Sequence, residues 1–395
     1  MDLTKLYKFR CKQCSALVVV SSLEDYERKI CPFCGAQNVM PEKEKKSNLN
    51  EKKTPYTSLT FTGKSGEYFK IWVVNVFLTI LTIGIYSAWA KVRKKKYFYR
   101  STFLIDSSFD YLAEPKKILK GRLIVFGALI IMVVAGYVDP FLLLILAIPA
   151  ILLFPWLVVK ALNFKARNSS YRNIRFDFLG TYGEAVRVFI LQMLITILTL
   201  GFGYPYQRYR RTKFVFDNGI FGGETPFRLE LKGSRGFYRV YLWQAAGVGI
   251  LVGIASQIMV AIGGAFLPAV ALPMVESFIS LLAGLAYIAF LRAAGTNLVW
   301  SNVALGGYPS TVSVHFGSTL EAPTMIWIYL SNAIAIMFSL SLLVPWASIR
   351  TVRYRLSNLK VAISGGLDSF VAGEQEKVEA VGEEIIDFFD FDLGL

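Results

Sequence analysis

The sequence predicts a polytopic α-helical membrane protein that is built from internal repeats and carries a small N-terminal zinc ribbon. Three observations lead to this fold class. The chain of 395 residues is 54% apolar and only 18% charged, so it carries more hydrophobic surface than one soluble core of this size normally buries. Long apolar segments recur along it, and all 4 cysteines are grouped near its start.

The cysteines form two CxxC pairs, Cys11 with Cys14 and Cys31 with Cys34, inside a polar module at 1–40. Each pair directs two thiolates to one point, so together they predict a closed tetrahedral site for one structural zinc ion. Two disulfides or a redox pair are the alternatives, and the spacing disfavours both. Because zinc-binding thiolates must stay reduced, we expect the ribbon to lie in the cytosol, where it can recruit a protein partner.

A charged linker at 41–55 leads into a membrane domain at 56–372. Most apolar segments of this domain reach the ~20 residues that cross a bilayer. The net charge of +15 is concentrated between them, as is typical of loops that face the anionic cytoplasmic side of a membrane. We therefore expect anionic lipids, and no nucleic acid, as partners. The segments are 69–90, 123–137, 141–159, 186–206, 240–262, 269–291 and 325–347.

An internal repeat explains why apolar segments run directly into clusters of cations. FTGKSGEYFKIWVVNVFLTILTIGIYSAWAKVRKKKYF, which begins at Phe61, aligns without a gap with FLGTYGEAVRVFILQMLITILTLGFGYPYQRYRRTKFV, which begins at Phe178. A third copy lies near the C-terminus, and two weaker copies surround Trp156 and Phe290. The pattern predicts about five units, each a membrane helix or hairpin, a basic aromatic turn and a β-hairpin outside the membrane.

The first copy and two later stretches resemble the YjgN family of bacterial inner-membrane proteins. The residues that carry the resemblance are GEYFKIWVVNVFLTILTIGIYSAWAKVRKKKYFYRSTF, FDYLAEPKKILKGR and SNLKV. The resemblance covers roughly residues 60–395 and implies a multi-pass protein of the inner membrane, to which the zinc ribbon is an addition. It implies no established reaction or substrate, and no catalytic residue is carried over from it.

The position of the cations constrains the topology. Every stretch between helices except 292–323 is cationic, so all these turns should lie on the cytoplasmic side. Units at 123–159 and 240–291 are long enough to cross the membrane and return. The other three hold segments that can cross once or can break near Thr82–Gly84, Thr199–Gly201 and Ser339–Ser341 into re-entrant hairpins. We favour the re-entrant arrangement.

Few residues offer catalytic chemistry, and we expect no enzyme activity. The stretch SGGLDS at 364–369 matches a phosphate loop of ATP pyrophosphatases, but only 26 residues follow it where that fold needs a whole α/β domain. It also falls where the repeat predicts a hairpin turn. The single histidine, His315, lies in a predicted strand, and a structural role is the simpler interpretation.

Polar and aromatic residues at repeated positions are the remaining candidate sites. Asn75, Gln192 and Asn332 fall inside apolar segments, where they should avoid lipid and either bond between helices or line an intramembrane polar path. A second set should contact anionic head groups or another acidic ligand as an interfacial belt. This set consists of Arg93, Arg210 and Arg350 with Trp89, Tyr206 and Trp346.

An acidic amphipathic tail at 373–395 closes the chain, and either docks on the basic turns or remains solvated. Two functions are consistent with these patterns. In the first, the repeats build a path or pocket for transport or handling of a small solute or lipid. In the second, the protein is a non-transporting scaffold or sensor whose zinc ribbon recruits a cytosolic partner. A polar cavity lined by the three amide residues would favour the first.

Overall fold

The computed structural model describes residues 56–364, apart from 224, 267, 269–270 and 307–312, and two short strands near the N-terminus. These strands, Tyr7–Arg10 and Leu17–Val20, belong to a separate compact unit, Met1–Thr54, and pair antiparallel with Arg10 opposite Leu17. The predicted zinc ligands, the linker at 41–55 and the acidic tail at 373–395 lie outside the described residues. The remainder of this section concerns the second unit.

Within the described residues of the second unit, ten helical segments form five antiparallel pairs, which we number in chain order. Pairs 2 and 4 are long. Their four helices are the segments that are long and apolar enough to cross a membrane in the described part of the chain. Pairs 1, 3 and 5 are short. Pair 1 is Ser65–Leu81 with Ser87–Arg100, pair 2 Pro115–Val138 with Pro140–Arg167, pair 4 Arg235–Phe266 with Leu272–Trp300, and pair 5 Ala322–Phe338 with Val344–Ser357.

Pair 3 differs from the others because its first helix contains a π-helical turn. The helix runs through Tyr182–Val186, the π segment Arg187–Leu191 and Gln192–Leu198, and its partner is Tyr204–Asp217. The first helix of pair 4 also contains a π segment, Arg239–Gln244, near its start. A π turn carries more residues than an α turn and often marks a functional site.

Each short pair breaks at the position that the sequence predicts. The first helices end at Leu81, Leu198 and Phe338, and positive φ angles follow at Gly84 (87°), Gly201 (90°) and Ser341 (72°). The amide of each of these three residues donates 2.8 Å to the carbonyl five residues earlier, which closes the helix end. Hydroxyls of Thr82, Thr199 and Ser339 then accept the amide four residues later and start the return helix.

The strands between the pairs form one closed antiparallel sheet. Closure arises at the N-terminal edge of the unit: Thr57–Ser58 pairs with the last strand, Leu359–Ser364, while Thr60–Phe61 pairs with Thr102–Leu104. The ring therefore consists of five hairpins, of which the fifth joins the two ends of the described chain. The other strands are Ser107–Tyr111, Ser169–Tyr171, Ile174–Phe178, Gly219–Phe221, Thr225–Leu229, Val303–Gly306 and Ser313–Ser318.

The same backbone hydrogen bond recurs at all five joints between hairpin and helix. We call the strand that leads into a helix pair the outgoing strand. In each case the residue after an outgoing strand donates its amide to the carbonyl of the C-cap residue that ends the same helix pair, at 2.8–3.1 Å. Four of the five C-caps are asparagines whose side-chain amide donates to the carbonyl four residues earlier. This bond accounts for the asparagine that ends four of the five return helices. The donor–acceptor pairs are Thr62–Ser101, Leu112–Asn168, Leu179–Asn218, Glu230–Asn302 and Thr319–Asn358.

Alternation along the short strands fills the inside of the ring with apolar side chains. The position two residues before the end of each outgoing strand is occupied by Leu59, Phe109, Phe176, Phe227 and Phe316, and all five belong to or pack against one core. Rings of Phe227 lie 6.1 Å from Phe176 and 6.3 Å from Phe316. The intervening positions carry polar residues such as Asp110, Asp177 and Arg228.

Candidate functional site

The buried amide of pair 1 is bonded within its own helix pair. Asn75 is 7% exposed, and its amide nitrogen lies 3.5 Å from the carbonyl of Ala90 on the return helix. Arg93 donates to the hydroxyl of Tyr86 at 2.9 Å and to Oδ1 of Asn75 at 3.5 Å. Trp89 stacks on Tyr86 with ring centroids 6.0 Å apart. The arginine, the amide and the aromatic ring predicted from sequence therefore form one cluster.

Pair 5 has the same arrangement with shorter bonds. The side-chain nitrogen of Asn332 donates to Thr351 Oγ1 at 3.0 Å and to the carbonyl of Ala347 at 3.3 Å. Arg350 donates to Oδ1 of Asn332 at 3.2 Å and to Ser331 Oγ at 2.6 Å. Its guanidinium lies 5.2 Å from the ring centroid of Trp346, a cation–π contact.

In pair 3 the buried amide has no such partner. Gln192 is 8% exposed, and its Oε1 lacks a hydrogen-bond partner among the described residues. Arg211 turns inward: its guanidinium lies 5.2 Å from the ring centroid of Phe189. With the Gln207 carboxamide oriented so that its oxygen faces Arg211, Nη2 of Arg211 donates to that oxygen at 2.9 Å. Tyr206 contacts Tyr209 at 6.3 Å between centroids. The sequence alignment selects Arg210 as the head-group contact and does not single out Arg211.

The apolar surface of the long pairs is the largest feature of the unit. In the most apolar 18-residue window of each long helix, only 6–17% of residues are buried. Leu123, Phe126 and Ile131 on one helix are all about 60% exposed. Helices that are apolar on every side are stable only where lipid or protein surrounds them.

The tips of the short pairs are equally apolar and more exposed. Ile83, Leu200 and Leu340 are 94%, 90% and 88% exposed. A first helix of 17 residues rises ~25 Å, which is less than the ~30 Å hydrocarbon layer. These tips therefore combine an exposed apolar surface with first helices that are shorter than the average hydrocarbon layer.

The outer face of the ring carries charged groups in fixed pairs. Arg100 donates from Nε and Nη2 to both oxygens of Asp110, at 3.0 and 3.1 Å. Arg167 makes the equivalent contacts with Asp177 at 2.7 and 3.2 Å. Burial alone would raise the pKa of Asp110, but hydrogen bonds from Arg100 and the Tyr111 amide outweigh it and hold the pKa below its usual value.

Between the ring and the helices lies an apolar cavity of about 130 Å³. Residues from four of the five units line it, among them Tyr99, Ala166, Phe216 and Trp300. A polar depression of about 380 Å³ lies on the outside of the ring near Arg100 and Arg172. No group of three metal-ligating side chains occurs among the residues that the structure describes, and the four cysteines are not among these residues.

The chain is similar to known bacterial membrane proteins. The inner membrane protein YjgN of Salmonella typhimurium is 26% identical over 367 residues, which cover 81% of this chain and 91% of that protein. The YjgN proteins of Escherichia coli O157:H7 and strain K12 are 31% and 32% identical over 131 residues, 33% of each chain. No solved structure matches. A family model described as "Bacterial protein of unknown function (DUF898)" matches residues 56–388, so the chain is an integral membrane protein that belongs to the DUF898 family.

Proposed function

We propose that the protein handles lipid in the inner membrane and does not conduct a polar solute through its centre. The observation that carries this proposal is the surface of the four long helices, which is apolar on all sides and largely exposed. Such surface needs hydrocarbon around it. The helix pairs are arranged around a closed ring of strands. Lipid chains therefore contact the sides of the long helices that face the ring axis as well as the sides that face away from it.

The structure of the ring and of the short pairs supports lipid over a polar solute. Aromatic and aliphatic side chains pack together on the inner face of the sheet. Asn75 and Asn332 direct their amides to partners within their own pairs. These amides therefore serve helix packing, which agrees with the modest value of such bonds inside membranes. The Oε1 of Gln192, unbonded within the described part of the chain, is the one observation in favour of the competing hypothesis, an intramembrane polar path, and the flux measurement below distinguishes the two.

The five pairs are, on this proposal, copies of one duplicated unit, and all their joints lie on the cytoplasmic side. The repeated C-cap bond and the repeated turn geometry support duplication. The cations near the ring support a cytoplasmic location. In this arrangement pairs 2 and 4 cross and return, whereas pairs 1, 3 and 5 enter from the cytoplasmic side and return to it without crossing.

Anionic head groups are the natural partners of the cationic belt in this arrangement. Arg350 over Trp346, and Arg93 beside Tyr86 and Trp89, combine a cation with an aromatic ring in the first half of a return helix. Such combinations anchor proteins at the lipid interface. Arg210 and Tyr206 complete the belt in the third pair.

The N-terminal module supports a second candidate, a scaffold or sensor that recruits a cytosolic protein. Strands Tyr7–Arg10 and Leu17–Val20 are joined by the segment that contains Cys11 and Cys14, and a hairpin of this kind suits a zinc knuckle. Cys31 and Cys34 would supply the other two thiolates for one structural zinc. We propose no catalytic activity for either candidate.

Lipid handling can be separated from solute conduction in purified protein. We expect native mass spectrometry from mild detergent to show phospholipid that remains bound, with anionic species enriched over their share of the membrane. We expect the protein in sealed vesicles to leave the permeability to small polar dyes and ions unchanged. Removal of all lipid without loss of structure, or a protein-dependent flux of the polar solutes, would contradict the proposal.

A further inference from the structure

The cavity between the ring and the helices has a defined origin in the sequence. Each return helix places one side chain over the ring two residues before its C-cap, and these residues are Tyr99, Ala166, Phe216, Trp300 and Leu356. Only pair 2 has a small residue at this position. The first strand residue after the C-cap is also small in two neighbouring units, where it is Ser169 and Gly219. These small residues coincide with the cavity, which Ala166, Ser169 and Gly219 all line.

The polar groups at the cavity already have partners inside the protein. The hydroxyl of Ser169 donates 2.9 Å to the carbonyl of Lys165, and Asp177 is held by Arg167. The rest of the lining is dominated by aromatic and aliphatic side chains such as Leu162 and Val215. Apolar cavities of about 150 Å³ stay dry and bind small apolar molecules. Water is therefore a poor occupant, and an apolar group is a good one.

The position of the cavity points to the membrane as the source of this group. Leu162 belongs to the helix Pro140–Arg167, and the same helix exposes Leu152 and Leu153 between two and three turns earlier. The volume of about 130 Å³ is close to that of the ~150 Å³ apolar cavity that binds one benzene molecule. A whole lipid cannot enter, whereas the end of one hydrocarbon chain fits.

We propose that this cavity binds the terminal part of a lipid hydrocarbon chain, held between Tyr99, Ala166, Phe216 and Trp300. The inference rests on the proposed lipid handling and adds to it a fixed site beneath the ring. The bound chain would fill a void that otherwise destabilises the core. The lipid would therefore stabilise the closed sheet and be held at a fixed position beneath it.

Photo-crosslinking tests this site in the full-length protein. The probe is a phosphatidylcholine with a diazirine at the end of one acyl chain, incorporated into nanodiscs with the protein, and labelled peptides are mapped by mass spectrometry. We expect label on the exposed surface of pair 2 near Leu123 and Phe126, and separate label on the cavity lining around Ala166 and Phe216. Ala166→Leu, which fills the cavity, should abolish only the second label. Ala128→Leu, the same change on an exposed helix surface, should leave both.

Each outcome decides one of the two claims. Surface label with an unlabelled cavity lining in the unmodified protein would overturn the inference and leave lipid handling intact. Cavity label that persists in a folded Ala166→Leu protein would also overturn it. Absence of label on the exposed helices would instead remove the proposed function itself. The label pattern of the unmodified protein tests the inference even where Ala166→Leu fails to fold.

Discussion

The long and the short helix pairs meet the sheet in the same way and differ in how far they extend from it. Asn168 in pair 2 and Asn358 in pair 5 cap their helices with the same side-chain bond. Pair 2 has helices of 24 and 28 residues, whereas pair 5 has helices of 17 and 14. The joint to the ring is therefore the same whatever the length of the helices. Helix length limits how far a pair can extend into the membrane.

The polar residues follow this difference. Pairs 1 and 5 each bury one amide between their helices, Asn75 and Asn332, and pair 3 buries two, Gln192 and Gln207. In pairs 1 and 5 the amide bonds to a return helix that is too short to gain much from apolar contact. In the long pairs, apolar contact along more turns takes this role. The comparison predicts that the stability of a short pair depends on one polar cluster and that the stability of a long pair does not.

The largest expected effect is the loss of the cluster in pair 5. Asn332→Leu leaves Arg350 without its amide acceptor and Thr351 without its donor, which should cost about 1–3 kcal/mol of unfolding free energy. Asn75→Leu should cost less, because its bonds are 3.5 Å long. Thermal unfolding in detergent measures both, with Ile334→Leu as the matched control on a more exposed face. If all three variants lost a negligible and equal amount of stability, the amides would not stabilise the short pairs.

A smaller and uniform effect is expected at the helix caps. Asn168→Ala, Asn218→Ala and Asn302→Ala each remove one side-chain bond and should each cost about 0.5–1.5 kcal/mol, whether the pair is long or short. The reverse change Ser101→Asn should stabilise pair 1 by supplying the bond that the other four units have. Thermal unfolding of the four variants provides the measurement. Losses confined to the short pairs would contradict a joint that is independent of length.

The sequence predicts the turns and caps well because these are local. Thr82–Gly84 and Thr199–Gly201 carry the hydroxyl and the glycine that favour a helix break, and Ser339–Ser341 carries the hydroxyl. Ring closure is not predicted, because the closing strands Thr57–Ser58 and Thr60–Phe61 are too short to show alternation, and Thr57–Ser58 pairs with Leu359–Ser364, which is distant in the sequence. The cavity is not predicted either, because it is lined by residues from four units. Arg211 is missed because the gap-free alignment matches Arg210, not Arg211, with Arg93.

The smallest expected effect concerns the charge pairs on the outside of the ring. The folded-state pKa of Asp110 lies below its ordinary value, so its pairing with Arg100 contributes fully above the unfolded pKa of ~3.9. The contribution is lost as the pH falls through the lowered folded pKa. Because the pair is partly exposed, the loss should be about 0.2–1 kcal/mol. Asp110→Asn should remove this part of the acid dependence, whereas a pH profile identical to that of the unmodified protein would show that the pair contributes nothing.

Thiol accessibility in intact cells tests the difference in membrane depth most directly. Single cysteines are placed in a background whose four native cysteines are replaced, at Tyr137 and Phe266 near the tips of the long pairs, at Leu200 and Leu340 at the tips of short pairs, and at His315 on the ring. An impermeant reagent should label Tyr137→Cys and Phe266→Cys in intact cells. His315→Cys should react only after permeabilisation, and Leu200→Cys and Leu340→Cys should resist the reagent in both states. Labelling of Leu200→Cys or Leu340→Cys in intact cells would show that the short pairs cross the membrane and would contradict the account.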